Sequence, residues 1–462
     1  MENKKENFSE WYSEIIDLAE LSDRRYSIKG MNIWMPYGLK AIHAIDGVIR
    51  KALDSRGFNE VSFPLLIPRN QLEVEFEHFK GFEDQLFWVT RGGKDPLDVE
   101  LALRPTSEVA MYPIFSLWIR SHANLPLKIY QIVNTYRHET KHTRPFIRVR
   151  EIHFFEAHTA HESYEDAEKQ LEEYDRTFVD ISGKLLISYS RHRRPDWDKF
   201  PGARYSVAYD AIMPDGRVLQ IGTIHQYGDN FSRTYGIEFT DEEGERKFVH
   251  QTTYGLSERL FAAIIAQHGD DKGLIFPPEI APVQVVVVPI PPLGKGSFDF
   301  LSGVMEILST YRVKLDDRDN YTPGYKYNDW EMRGVPFRIE IGMKEVQGNF
   351  VTLSRRTGGK RKIPVKNLRG EMEEEMKLME ETLIRRARDF TESRTISSNS
   401  MDQVRDFNGV ATVYWCGSKD CADRIEEHTG KSCLGEIMGD TTTGACIVCG
   451  KEGRLASFAR SF

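Results

Sequence analysis

The residues whose types and spacing are best suited to chemistry lie between Asn134 and His161, reading NTYRHETKHTRPFIRVREIHFFEAHTAH. Two β-rich runs, Ile129–Arg137 and Val149–His158, flank a loop of Thr, His, Lys, Arg and Pro, the pattern of a long-looped hairpin. Alternate residues of a strand share a face, so Arg137 and Glu139 point one way while Arg150, Ile152, Phe154, Glu156 and His158 line one side of the partner. Such a face is badly suited to a dry core, because buried charge must be paired or solvated, and it suits a polar ligand with an anionic part. A surface hairpin laced with ion pairs is the alternative.

Other segments carry the same kind of signal. In Gly255-Leu256-Ser257-Glu258-Arg259 the glycine would allow a sharp turn from strand to helix. Arg259 then falls on the first helical turn, where it opposes the helix dipole and is free to meet a phosphate beside the backbone N–H groups. Arg104-Pro105-Thr106-Ser107-Glu108 sits between a strand and a helix, and capping of that helix would by itself account for Thr106 and Glu108. His225 follows a strand and counts only in company. Cys416 and Cys421, then Cys446 and Cys449, form two close pairs with the spacing of a tetrahedral zinc site, the second a knuckle; Cys433 is the odd one out.

The elements that must position these residues can be placed along the 462-residue chain, which is long enough for two to four domains. A helix is expected over Phe8–Arg25, a strand over Gly30–Gly38 and a helix over Leu39–Arg56, followed by an edge strand, Phe58–Pro68, interrupted by Pro64. Ser163–Ser182 reads as a charged helix, and Ala203–Ile212 with Val218–Thr223 as a second hairpin. Phe248–Tyr254 is a further strand. From Ala281 the pattern changes to alternating strands and helices, a small α/β domain with a mixed sheet, then an amphipathic helix over Leu368–Phe390 and a polar linker, TESRTISSNS.

A net charge of -8 argues against general adhesion to nucleic acid, leaving two local basic runs, Arg191–Arg194 and Arg355–Arg369, as candidate contacts. The N-terminus lacks the apolar core of a secretory signal, and no segment approaches the roughly 20 apolar residues of a membrane helix. A soluble protein of the cytoplasm is expected, with its cysteines in a reducing compartment.

Taken together these segments resemble the class II aminoacyl-tRNA synthetases, and most closely the prolyl-tRNA synthetases of archaeal and eukaryotic type. The run with Pro64 looks like motif 1, Tyr136-Arg137-His138-Glu139 like motif 2, and Gly255–Arg259 like motif 3; RPTSE and PGYKYNDWEMRGVPFRIEIG look particular to the proline enzymes. The resemblance implies an antiparallel-sheet catalytic core (residues 1–280), an α/β anticodon-binding domain with a mixed sheet (281–375) and a small C-terminal zinc-binding α+β domain (376–462). It implies a homodimer acting on proline, ATP with Mg²⁺, and the tRNA for proline. By the family's pattern Arg137 and Arg259 are catalytic. Arg137 would bridge the proline carboxylate and the α-phosphate, Glu139 accept from adenine, Arg148 reach the outer phosphates with Val149 beside it, and Arg259 pair the γ-phosphate or stack on the base. Gln220 and Thr223 would hold the nucleotide, Thr106 and Glu108 the imino nitrogen, and Phe154, His158, His225 and Ser257 the proline ring. Arg338, Glu340, Lys344 and Glu345 would read anticodon guanines, and Cys416, Cys421, Cys446 and Cys449 would bind Zn²⁺. The family usually has Phe where Ile152 stands and Trp where Phe154 stands.

Overall fold

The computed structural model describes residues 3–73 and 83–462. Helix α1 (Phe8–Leu18) stops well short of Arg25, and the expected strand over Gly30–Gly38 is reduced to Ile33–Trp34. The reason is Pro36, which opens helix α2 (Pro36–Asp54) in its first turn, where a missing N–H costs nothing and the fixed φ is already helical. As the spacing predicts, α2 buries Ile42, Ile45, Ile49 and Leu53. The Phe58–Pro68 run is divided: β1 (Asn59–Glu60) lies at the edge of the main sheet, and β2 (Leu66–Pro68) pairs with β3 (Asp95–Leu103) in a separate small sheet. Pro64, which cannot donate to a ladder, stands between them.

After helix α3 (Glu108–Trp118) comes the central hairpin, β4 (Leu127–Tyr136) and β5 (Glu151–His161). Helix α4 (Tyr164–Leu185) follows, then β6 (Ser190–Arg193), β7 (Tyr205–Ile212), β8 (Val218–Gly228) and β9 (His250–Ser257), which leads into helix α5 (Arg259–His268). Register sets the working face of this antiparallel sheet. Across β4, β5, β9, β8 and β7 one row pairs Gln131, Glu156, Gly255, Thr223 and Ala208; the row two residues away pairs Ile129, His158, Thr253, His225 and Ser206. The opposite face carries Phe155, Tyr254, Ile224 and Val207, buried in the main core with Phe178 of α4 and Phe261 of α5. Polar residues therefore face the cleft, and apolar ones the helices.

A second core surrounds a five-stranded mixed sheet made of β10 (Val285–Pro289), β11 (Val313–Leu315), β12 (Phe337–Ile341), β13 (Phe350–Arg355) and β14 (Lys360–Pro364), in the order β11-β10-β12-β13-β14. Strands β11, β10 and β12 run parallel, and β13 and β14 are added antiparallel. Helix α6 (Leu368–Glu392) covers this core with Leu368, Met372, Met379 and Leu383.

The segment expected to be a polar linker contains a strand, β15 (Thr395–Ser397), because Thr-Ile-Ser pairs in parallel with β16 (Val410–Trp415) and tucks Ile396 against a third core. With β17 (Ser432–Ile437) and β18 (Glu452–Ala459), these strands extend the main sheet: its order is β15-β16-β18-β17-β6-β7-β8-β9-β5-β4-β1, with Thr443–Ala445 as a twelfth strand on β18. The junction is β17 against β6, Glu436 opposite Arg193 and Ile437 opposite His192. The basic run Arg191–Arg194 is thus part of this seam, with Arg191 on Asp175, His192 on Asp210 and Arg193 over the Tyr205 ring.

At the seam Gly435 has φ +116°, and a Cβ there would come within 2.0 Å of the Arg193 carbonyl oxygen. Gly435→Ala should cost roughly 2 kcal/mol or more, since strain and a backbone clash add. Gly430→Ala, also at positive φ but with nothing within 4 Å, should cost about 1 kcal/mol. Urea denaturation of the two variants, each against the parent, checks the difference.

Candidate active site

The cleft on the polar face of the sheet has a volume of about 530 Å³. Twelve of the thirteen residues expected at the substrate sites line it: Thr106, Glu108, Arg137, Glu139, Arg148, Val149, Phe154, Gln220, Thr223, His225, Ser257 and Arg259. The exception is His158. It lies fully buried behind the wall, its Nε2 3.3 Å from Glu156 and its Nδ1 3.2 Å from the Tyr112 hydroxyl, so it supports the cleft without lining it.

The hairpin loop delivers Arg137, Glu139 and Arg148. Its anchor is Phe146, a buried residue at φ +61° whose ring packs 4.6 Å from Trp34 and 5.1 Å from Phe261. This anchoring sets the next carbonyl, Ile147, to accept from Arg259 Nε at 2.9 Å, while Arg259 Nη1 donates to the Gln220 carbonyl at 3.2 Å. Arg148 pairs with Glu139 at 2.7 Å. Burial, with the neighbouring Arg137 and Arg148 cations, lowers the Arg259 pKa to about 10. Burial also lowers that of Arg137, against the pull of Glu108, Glu156 and Glu139. Burial would raise Glu139, but the Lys141 N–H and Arg148 outweigh it and hold the carboxyl below its ordinary value.

The opposite wall is acidic and aromatic. Capping does not account for Thr106 and Glu108: the N-cap of α3 is Ser107, whose side chain makes no cap bond and donates instead to Glu156. Glu108 accepts from Thr106 and, at 2.9 Å, from the Tyr227 hydroxyl. Burial opposes ionisation of Glu156, yet His158, Ser107 and Gln131 outweigh it and keep its pKa below the usual value. Gln131 in turn accepts from the Phe63 N–H, tying the Pro64 segment to this carboxylate. His225 lies tilted against Phe200, 4.8 Å between ring centroids, and shares a 2.7 Å hydrogen bond with Ser206; burial, then the nearby His158, lowers its pKa to about 3, so its imidazole is neutral.

Gly255 differs from expectation. It lies within β9, between Glu156 and Thr223 in the register, and the turn comes later, at Glu258. A Cβ on Gly255 would stand 3.1 Å from Phe154 Cζ, so the glycine opens the cleft floor rather than bending the chain. Sequence reasoning took Arg194 only as part of a basic run that could meet nucleic acid, and passed over Asp198 and Phe200, which line the cleft from a segment with no periodic pattern, and Glu258, inside the motif it had singled out.

Elsewhere, Arg338 donates to Glu340 and covers the Tyr327 ring at 4.0 Å, and it lines a cavity of about 400 Å³ with Arg355, Arg356 and Lys360. Lys344 is exposed, while Glu345 accepts from the Gly342 N–H at 3.0 Å and so caps its own short helix. The Cys416, Cys421, Cys446 and Cys449 sulfurs lie within 4.8 Å of one another. Cys416 and Cys449 are 3.7 Å apart, against the roughly 3.8 Å edge of a tetrahedron with Zn–S bonds of about 2.3 Å. Burial works to raise the Cys446 pKa, but the N–H groups of Cys449 and Val448 bring it down to about 7, whereas burial pushes Cys416 and Cys421 up. Cys433 is not in this group, and burial pushes its pKa up to about 12.

An antiparallel sheet with arginines from a hairpin loop and from the start of helix α5 on one cleft defines a class II aminoacyl-tRNA synthetase core, and residues 87–268 match the family "tRNA synthetase class II core domain (G, H, P, S and T)". Residues 284–375 match "Anticodon binding domain", and residues 398–462 "Prolyl-tRNA synthetase, C-terminal". The chain belongs to the prolyl-tRNA synthetase family: it is 56% identical over 465 residues to the proline–tRNA ligase of Thermoplasma acidophilum, covering 100% of both chains. Among solved structures it resembles the Giardia lamblia prolyl-tRNA synthetase in complex with prolyl-adenylate (TM-score 0.96, 34% identity, 100% of this chain and 99% of that one). It also resembles the Cryptosporidium parvum enzyme complexed with halofuginone and AMPPNP (TM-score 0.95, 32% identity, 100% and 99%).

Burial raises the Glu258 carboxyl from 4.5 to about 7. A folded-state pKa above the unfolded one gives stability that is present below pH 4.5 and lost as pH rises through about 7. Glu258→Gln removes this titration. The variant's stability relative to the parent should therefore grow between those two values and level off above them, as read from urea midpoints across the pH range.

Proposed function

We infer that this chain is a proline–tRNA ligase: it condenses proline with ATP to prolyl-adenylate and pyrophosphate, then transfers the prolyl group to the 3′ end of the tRNA. The observation that carries this reading is the convergence of Arg137, Arg148 and Arg259, from two separate segments, on one cleft. In the first step a carboxylate oxygen attacks the α-phosphorus, and the bond to the β-phosphate oxygen breaks. Such a displacement needs fixed geometry and positive charge on the phosphates more than it needs a base.

Proposed roles follow from position. Arg137, between Glu108 and Glu139, bridges the proline carboxylate and the α-phosphate; Arg148 and Arg259 take the outer phosphates; Glu139 accepts from the adenine amino group; Val149, Gln220 and Thr223 complete the nucleotide site. Glu108, with Thr106, neutralises the imino cation. Phe154, His225 and Ser257 enclose the ring, His225 as a neutral imidazole, and His158 supports Glu156 from behind. For the Mg²⁺ that accompanies ATP, Glu258 is a cleft carboxyl that a nearby cation would keep ionised. Zn²⁺ fits the four-cysteine cluster, where it would close the knuckle and stiffen the end of the extended sheet.

The division into catalytic (1–280), anticodon-binding (281–375) and zinc-binding (376–462) regions is proposed from the family; helix α6 crosses the second boundary, and its Met379 and Leu383 pack in the second core. Arg338, Glu340, Lys344 and Glu345 are proposed to face the anticodon; Glu345, spent on its helix cap, has less to offer a base than Arg338 or Lys344. A cytoplasmic homodimer is proposed from the family. Among the described residues no helix is long and apolar enough to cross a membrane.

Pyrophosphate exchange into ATP, run with a panel of amino acids, tests the assignment: only proline should support it. Arg137→Ala should reduce the exchange by roughly 100- to 1,000-fold with an unchanged circular dichroism spectrum. Full activity in that variant, or exchange indifferent to proline, would overturn the reading. Metal analysis should find about one zinc per chain, and chelation should lower the thermal midpoint.

A further inference from the structure

Arg194 lies just beyond β6, nearly buried, at the wall shared by the active-site cleft and a smaller cavity of about 310 Å³ under the C-terminal region. Its guanidinium makes three hydrogen bonds, and its Nε lies 3.8 Å from Asp198 Oδ2. Nη2 donates to Asp210 Oδ1 at 2.9 Å and to Gln220 Oε1 at 3.1 Å, and Nη1 donates to the Leu434 carbonyl at 2.9 Å. Asp210 is fully buried and also holds His192 at 2.7 Å, so the guanidinium rests on a fixed anion.

Two physical consequences follow. A guanidinium only donates, so the atom of Gln220 that meets it must be the carboxamide oxygen, and the NH₂ end is then turned away from Arg194. Gln220 lines the cleft and its own backbone carbonyl accepts from Arg259, so the orientation of its amide bears on what the nucleotide meets. The Leu434 carbonyl, in turn, is available because the β17–β18 register shifts between Cys433 and Gly435, which leaves Leu434 out of that ladder. One side chain therefore joins a bulge in the C-terminal region to a nucleotide-facing amide.

We propose that Arg194 is a positioning residue for ATP: it holds the Gln220 carboxamide with NH₂ available to the nucleotide, and makes that orientation depend on the docking of the C-terminal strands. The proposal rests on the reading of Gln220 as a nucleotide contact.

Steady-state ATP–pyrophosphate exchange on the full chain tests it. Arg194→Met should raise the KM for ATP about tenfold, the loss of one fixed hydrogen bond, with the KM for proline within about twofold of the parent. Gln220→Ala should do the same, and the double variant should add nothing further. Multiplied effects in the double variant, or a parental KM for ATP in Arg194→Met, would overturn the proposal. An unchanged KM in Gln220→Ala would instead remove the reading of Gln220 on which it depends. Should Arg194→Met fail to fold, Arg194→Lys keeps a cation on Asp210 but lacks the fork to reach Gln220 and Leu434 together; a folded Arg194→Lys with parental KM for ATP refutes the idea equally. Gly435→Ala, assayed below its unfolding midpoint, should raise the KM for ATP in the parent and not in Arg194→Met; equal effects in both would overturn the dependence on docking.

Discussion

Mutual repulsion among three guanidinium groups in one half-buried cleft is the constraint that the catalytic region is arranged around. Like charges sharing a cleft at intermediate dielectric interact by on the order of 1–4 kcal/mol at about 4 Å. At Arg259 burial comes first, and the neighbouring Arg137 and Arg148 cations add to it, taking its pKa to about 10. The opposing attractions are all local: carbonyls of Ile147 and Gln220 for Arg259, Glu139 for Arg148, and the field of Glu108 and Glu156 for Arg137. None of these neutralises the cleft as completely as a polyanion would. A triphosphate entering such a site relieves a cost already present in the folded chain.

What holds the charges in place is the sheet register. Because β4, β5, β9, β8 and β7 align in the rows described above, Glu156, Thr253 and the pair Thr223 and His225 come to one face from three separate stretches of sequence. A one-residue slip of any strand would turn its polar set into the core and its aromatic set out. The fully buried Phe155, Tyr254 and Tyr209 on the other face oppose that slip. Extension of the same sheet through β6 and β17 fixes the C-terminal region to this frame by backbone pairing as well as by side-chain contact.

The parts of this arrangement legible in the sequence were those in which residue type and local period agree. Arg137, Glu139 and Arg259 were readable because polar groups interrupt β-rich or helical patterns, and the four cysteines because spacing alone suggests a metal. The failures have physical causes. Gly255 was taken for a turn because glycine's conformational freedom is visible in a sequence, whereas the approach of Phe154 from a neighbouring strand is not. His158 was placed in the cleft because alternation gives the face but not the depth along the strand at which the cleft ends. Thr395–Ser397 was read as linker because its strand partner begins at Val410 and pairs only in three dimensions. Arg194 was visible only as one member of a basic run: its three hydrogen-bond partners, Asp210, Gln220 and Leu434, lie on three other strands or their bulge.

The pairing of Arg148 with Glu139 brings sequence, energetics and ligand binding together. Both side chains are about one-fifth exposed, at 21% and 22%, so their 2.7 Å contact is neither a fully solvated ion pair nor a desolvated one. Exposed ion pairs contribute about 0–1 kcal/mol and one this far from solvent is held more firmly, while a charge-assisted hydrogen bond to phosphate in a partly closed site is roughly twice as strong as a neutral one. On the proposed roles, the pair would separate as Arg148 turned to phosphate and Glu139 to an amino group. Until then it keeps each charge satisfied and holds the long hairpin loop near its working shape. Replacing either residue by a neutral one removes this pairing before any ligand arrives, so the loop's order and, on the proposed roles, the binding of a nucleotide would depend on the same two side chains.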